Sequence, residues 1–213
     1  MKIAVLANED QRHEWLQKGC SPEVEIEWAG SLRVLMACDA DAYFDLAFEF
    51  DRARLPQYSM RSDRLIFVNS VSHTLEEIGH NFIRINAWPG FLNRLIAEIS
   101  LADNANEQAV AHLLETMGWQ YRLLPDVPGM ISAHIIANII NEAYHTWGSG
   151  VSSQEDIDTA MKLGTNYPYG PFEWARKIGL VNIKDLLLRL KATDSRYQPA
   201  PALEQELAIS MNR

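Results

Sequence analysis

Two cysteines in 213 residues, Cys20 and Cys38, are too few for a disulfide framework, and they form no C-x-x-C pair. Such a chain suits a reducing compartment, and a cytoplasmic location is expected. Basic residues are also short: 19 Lys and Arg stand against 28 Asp and Glu, a formal net charge of −9. That balance argues against a nucleic-acid partner, because phosphate backbones are held by basic surface. Long apolar runs are missing as well. Nothing approaches the roughly 20 residues of a membrane span, so no membrane partner is expected. The opening Met1–Ala7 run is too short for a signal peptide and reads as a first strand. There is no internal repeat and no low-complexity tract. What remains is an ordinary globular composition, 47% apolar and 22% charged, enough for one or two cored domains.

The first half alternates strand and helix. Lys2–Ala7, Val24–Trp28, Tyr43–Phe48, Leu65–Asn69, Leu95–Ile99 and Tyr121–Leu124 are short runs rich in β-branched, apolar or aromatic residues. Helices are expected at Gln11–Gly19 and about Asn106–Trp119. Such alternation predicts an α/β domain with a largely parallel sheet. The second half is helical: Ile131–Trp147, Glu155–Leu163, Pro171–Ile178 and Ile183–Lys191 carry helical periodicity, with glycine and proline between them. The break falls in Pro125–Gly129, giving domains of 1–125 and 126–213. The tail, with Pro199 and Pro201, is expected to drape over the surface before a last short helix.

Glu155–Leu180, EDIDTAMKLGTNYPYGPFEWARKIGL, carries the most information. Ser152 or Ser153 can cap its first helix, with Glu155, Asp156 and Asp158 as acids in the first turn. Gly164 is the expected left-handed residue after that helix. Pro171 sits at the first position of the next, where proline is tolerated.

This string closely resembles the C-terminal domain of the NAD-dependent 3-hydroxyacyl-CoA dehydrogenases. Asp126-Val127-Pro128-Gly129-Met130-Ile131 resembles that domain's opening D-x-P-G-F-I. The resemblance implies a reduced Rossmann-like domain followed by an all-α domain of the 6-phosphogluconate/3-hydroxyacyl-CoA dehydrogenase C-terminal type. It further implies a homodimer formed through the helices, a pocket for an acyl-CoA-like small molecule, and NAD as the family's cofactor.

The residues that would perform the reaction are largely replaced. A dinucleotide-binding turn after the first strand needs G-x-G-x-x-G, so that backbone can approach the pyrophosphate. Here that turn reads Asn8-Glu9-Asp10-Gln11-Arg12-His13, without glycine and with two acids. The ribose-binding acid that should end the second strand is replaced by Trp28, with Glu27 one residue early. No bound cofactor is therefore expected; NAD stands by resemblance alone. Val68–Ser72 is similar to the family's T-N-T-S-S, with Val71 at the first paired serine and Ser72 at the second. Phe82–Gly90 is similar to the segment ending H-F-F-N-P, where the resemblance places Asn86 at the catalytic histidine. A shift of one residue places Ile85 there instead. A carboxamide does not titrate near neutrality as imidazole does. The family's histidine-orienting acid falls on Glu98, which we expect to bond Asn86, a serine or a helix end. Ala133-His134 replaces a further Asn-Arg pair.

The candidate site is therefore Ser72, Asn86 and Glu98, with His73 as a displaced base that could pair with Glu98. Arg84 and Arg94 flank these positions and are candidates for phosphate contacts. His134, Asn138, Asn141 and His145 form a polar stripe of one helix, expected to pack against another helix or a dimer mate. Ile131, Ile135, Ile139 and Trp147 are the expected core face of that helix. Trp88, Trp119 and Trp174 read as packing residues. No metal site is expected. Three readings remain: a degenerate dehydrogenase-like protein, an active dehydrogenase with unconventional contacts, or a structural and partner-binding protein.

Overall fold

A computed structural model describes residues 1–102 and 106–211 of the chain. It divides into two compact units, Met1–Met130 and Ile131–Arg213. The first contains β1 (Lys2–Leu6), α1 (Glu9–Lys18), β2 (Glu25–Ala29), α2 (Leu32–Ala37), β3 (Ala42–Asp45), a 3-10 turn at Leu55–Arg61, β4 (Leu65–Val68), α3 (Leu75–Ile78), β5 (Phe82–Ile85), β6 (Ile96–Leu101), α4 (Glu107–Thr116) and β7 (Gln120–Leu123). Its seven strands lie in the order β2-β1-β3-β4-β5-β6-β7. Every neighbouring pair is parallel except β5 with β6.

The central strands are buried on both faces, as a parallel sheet covered by helices requires. Alternate residues feed two cores. Phe44 and Phe67, paired across β3 and β4, stack at 4.3 Å in a cluster that includes Trp15, Ile83, Leu114 and Trp119. Tyr43 and Ile66 point the other way, among Leu35, Met36, Tyr58 and Leu75. Trp88, Trp119 and Trp174 are all buried, consistent with packing roles.

Several expected elements differ. The third strand ends at Asp45 rather than Phe48: the Leu46 amide makes the last ladder bond, to the Leu6 carbonyl at 2.8 Å, and the chain then turns. The segment before it holds α2, and Phe82–Ile85 is a strand that the apolar pattern does not suggest. Arg84 interrupts that run, and two of its partners, Asp126 and Val127, lie more than 40 residues away.

The second unit consists of α5 (Ser132–Gly148), α6 (Gln154–Thr165), α7 (Pro171–Ile178), α8 (Leu180–Lys191), a 3-10 turn at Ser195–Tyr197 and α9 (Pro201–Met211). Helix α5 packs against α7, α8 and α9. Its buried face is Ala133, Ile136, Ala137, Ile140, Asn141 and Tyr144. Ile131 and Ile135, expected in the core, are 48% and 51% exposed. The polar stripe instead anchors the chain after α8. Asn141 donates to the Gln198 carbonyl and accepts from the Ala200 amide, at 2.9 and 2.8 Å, and His134 meets the Tyr197 hydroxyl at 3.0 Å. The tail does not drape over the surface, since Tyr197, Ala200 and Leu203 are buried. Gly164 lies inside α6, which ends with Asn166 as the left-handed residue at φ 55°. Asparagine tolerates that conformation better than other non-glycine residues.

Candidate functional site

In a sheet of this topology ligands bind beyond the carboxyl ends of the strands, where the order reverses. Here the reversal lies between β1 and β3. Helix α1 starts one residue after the Asn8 cap. The Asn8 side chain accepts from the Gln11 amide at 2.9 Å, and the Gln11 side chain accepts from the Asn8 amide at 3.1 Å. Glu9 and Asp10 complete an acidic first turn. The Gln11 carboxamide also donates to the carbonyls of Leu46 and Ala87, at 2.6 and 3.2 Å. Asn69 donates to the same Leu46 carbonyl at 3.1 Å and accepts from the Ala87 amide at 2.9 Å. Two carboxamides thus stitch together the chain ends leaving β1, β3, β4 and β5. At the edge strand, Glu27 is paired with Lys2 at 2.8 Å, and the Arg12 guanidinium lies 4.7 Å from the Trp28 ring centre.

The loop after β5 is held along α1 by a polar stripe. The Glu14 carboxylate accepts from Gly90 and Leu92 amides at 2.5 and 3.2 Å. The Gln17 side chain accepts from Asn93 at 3.0 Å, and Lys18 donates to the Arg94 carbonyl. Residues 11, 14, 17 and 18 share one helical face, so the stripe was visible in sequence, but not what it grips.

Asn86 and Glu98 are brought together. Asn86 Nδ2 donates to Glu98 Oε2 at 3.2 Å, and their backbones pair at 3.0 Å. Asn86 Oδ1 is turned toward the Trp88 amide at 3.4 Å. Ser72 is 8% exposed. The His73 ring lies 4.4 Å from that of Phe50. Arg84 is not a phosphate ligand. It is fully buried, donates to the carbonyls of Ser70, Val71 and Val127, and pairs with Asp126 at 2.5 Å. A guanidinium so enclosed needs that many acceptors to offset its lost hydration. The Arg94 guanidinium rests 4.3 Å over Phe91.

A buried acid without any mark in the sequence is Asp45, at the end of β3. Tyr58 donates to one of its oxygens at 2.5 Å, and the other oxygen is buried, short of a full hydrogen bond. Burial pushes its carboxyl up to about 6, against the opposing pull of the Tyr58 bond. Burial also pushes the Cys20 thiol up to about 11, which makes it a poor nucleophile. Among the described residues no group of three or more His, Cys, Asp or Glu side chains could hold a metal ion. Nor is any described helix long and apolar enough to cross a membrane.

Residues 129–210 match the family model of the 3-hydroxyacyl-CoA dehydrogenase C-terminal domain. The chain is related to the 3-hydroxyacyl-CoA dehydrogenases. It is 33% identical over 153 residues to 3-hydroxyadipyl-CoA dehydrogenase of Escherichia coli, a match covering 69% of this chain and 32% of that protein. It is 38% identical over 103 residues to 3-hydroxybutyryl-CoA dehydrogenase of Bradyrhizobium diazoefficiens, covering 47% and 35%. The matched part thus spans about a third of these relatives' length. The fold is similar to that of (S)-3-hydroxybutyryl-CoA dehydrogenase PaaH1 from Ralstonia eutropha, with a TM-score of 0.74 at 19% identity over 98% of this chain and 94% of that one. A Rossmann-like sheet unit followed by the helical unit of the 3-hydroxyacyl-CoA dehydrogenases is therefore the architecture.

The string that carries the family resemblance has a structural logic of its own. Gly170 precedes α7 and has no side chain with which to cap it. Asp158, buried on α6, supplies the cap from a distance: it accepts from the Phe172 and Glu173 amides at 2.7 and 3.2 Å. A Cβ at Gly170 would collide with Asp158, backbone included. Asp158 is thus no first-turn acid of α6. That turn is capped by Ser153, which accepts from the Asp156 amide at 3.1 Å.

Proposed function

We propose that this chain is a 3-hydroxyacyl-CoA dehydrogenase-like protein whose NAD-linked oxidation of 3-hydroxyacyl-CoA is lost or much reduced. It keeps the dimeric scaffold and a pocket for an acyl-CoA-type metabolite. The observation that carries this reading is the Asn86–Glu98 bond. Where the resemblance calls for an imidazole oriented by a carboxylate, a carboxamide donates to that carboxylate. Oxidising a secondary alcohol needs a group that takes the hydroxyl proton as hydride leaves, and a carboxamide does not do so near neutral pH. Loss of a general base typically lowers the rate by about 10²–10⁴.

The turn after β1 supports the same reading. The residues present do not fit a pyrophosphate in the ordinary mode. The Asn8 side chain occupies the Gln11 amide at the start of α1, Glu9 and Asp10 put two acids there, and the Gln11 carboxamide is bonded across the strand ends. Anions are favoured at a helix start only where the amides are free and the nearby charge permits. Dimerisation through the helical unit accords with Ile131 and Ile135, exposed at the start of α5; a monomer mass by light scattering at micromolar concentration would contradict it. A cytoplasmic location accords with two free cysteines.

The experiment is a thermal-shift panel with NADH, NADPH, acetoacetyl-CoA and free CoA, since a ligand stabilises the state it binds. Stabilisation by CoA compounds alone, without NADH turnover of acetoacetyl-CoA, is the expected result. Stabilisation by both classes with turnover would support an active enzyme using His73 as displaced base, and His73→Ala at unchanged rate would remove that variant. No shift with any of the four would leave a partner-binding protein.

A further inference from the structure

A surface groove of about 590 Å³ opens in the helical unit, lined by Lys162 of α6, Pro168 and Tyr169 of the connecting loop, and Glu173, Arg176 and Lys177 of α7. Its size lies within the range that takes small ligands. Three cations face a single acid there, in a chain that is otherwise strongly acidic. The acid is already committed: Glu173 binds Lys162 through one oxygen at 2.5 Å and the Gly170 amide through the other at 2.8 Å.

Arg176 touches Asp158 through one nitrogen at 3.4 Å, with 61% of its side chain exposed, so most of its N–H fork remains available. Lys177 has no carboxylate partner among the described residues. Its ammonium lies 5.3 Å from the ring centre of Tyr169. That ring is braced edge-on by Trp174 at 4.9 Å and is itself 36% exposed. A cation held beside an aromatic ring, next to a guanidinium with open donors, is the chemistry that grips phosphate oxygens and offers a face to an attached ring.

We propose that this groove binds a phosphate-bearing small molecule, with Arg176 and Lys177 on the phosphate oxygens and Tyr169 against any planar group the ligand carries. The site lies wholly within the helical unit and does not depend on the acyl-CoA reading above. Calorimetric titration of the full chain with inorganic pyrophosphate and with ADP, at low and at moderate salt, tests it. Binding that weakens with salt and falls about tenfold in Lys177→Gln is expected. That variant leaves the Asp158 cap untouched; an unchanged melting temperature verifies its fold. Tighter binding of ADP than of pyrophosphate, abolished in Tyr169→Leu, assigns a ring-bearing ligand; equal binding assigns phosphate alone. Absence of heat with both probes overturns the proposal, as does binding that Lys177→Gln and Arg176→Gln leave unchanged, which would place the anion elsewhere on the chain.

Discussion

Two buried aspartates, one in each unit, sit in opposite circumstances. Asp158 of α6 is 5% exposed, accepts two backbone amides and touches Arg176. Asp45 of β3 is fully buried and is held by Tyr58 and, more weakly, by the Ala47 backbone, its second oxygen short of a full hydrogen bond. A buried carboxylate is stabilising only when its lone pairs are answered. The first therefore holds a structure together, and the second is a cost that the sheet carries. The contrast extends to the two helix starts. Helix α7 is capped from another helix, across 14 and 15 residues of sequence, whereas α1 is capped by its own neighbour Asn8. A remote cap ties several residues to one another and fixes a recognisable string. A local cap leaves its surroundings free to change.

The same substitution at the two aspartates should therefore have opposite signs. Asp158→Asn puts an NH₂ group where an oxygen met a backbone amide, leaving a buried donor unsatisfied at the start of α7. A loss of about 3 kcal/mol is expected, measured as a lower urea midpoint. If the loss is below about 1 kcal/mol, the remote cap is not what joins α6 to α7. Gly170→Ala approaches the same joint from the other side. Its Cβ would meet Asp158 backbone, which cannot swing away as a side-chain tip can, and a loss of about 2 kcal/mol follows. The two losses should not add in the double variant, because residues in contact share the interaction.

Asp45→Asn should stabilise at neutral pH. A carboxyl raised from 3.8 to about 6 in the folded protein keeps a proton that the unfolded chain has already released. Its contribution to stability is fully present below about pH 4 and is lost as the pH rises through 6. Asparagine, neutral throughout, is free of that loss. The variant should gain about 1–2 kcal/mol at pH 8 and nothing near pH 4, read from urea midpoints at the two pH values. A gain of equal size at both would mean that the carboxyl titrates alike in the folded and unfolded chain.

How much of this was legible beforehand follows from the range of the interactions. Helix α7 began and ended where Pro171 and the apolar spacing put it, because its signals are local. Asn86 is one of three partners that the sequence offers Glu98, beside a serine and a helix end, because the family resemblance puts it at the position this acid orients; the structure selects it. Arg84 is a candidate phosphate contact in sequence, since an isolated arginine carries no mark of burial; its enclosure depends on Ser70 and Val71 and, far along the chain, on Asp126 and Val127. Asp45 carries no mark of burial in the sequence for the same reason. The core face of α5 differs from its sequence expectation because that helix is apolar on more than one side, and only the packing of α7, α8 and α9 decides which side is covered.

The smallest effect belongs to the local cap. Asn8→Ala removes the oxygen that accepts the Gln11 amide at a partly exposed helix end, and such caps contribute about 1 kcal/mol. Gln11 keeps its bonds to Leu46 and Ala87, so the strand ends stay joined and the loss stays small. That bound distinguishes two accounts of the turn. If α1 is held chiefly by Gln11, Glu14 and Lys18 against the loop after β5, Asn8→Ala leaves hydrogen exchange in residues 87–95 unchanged while the first turn of α1 exchanges faster. Faster exchange in both segments would mean that the cap, rather than the polar stripe, organises the carboxyl edge of the sheet.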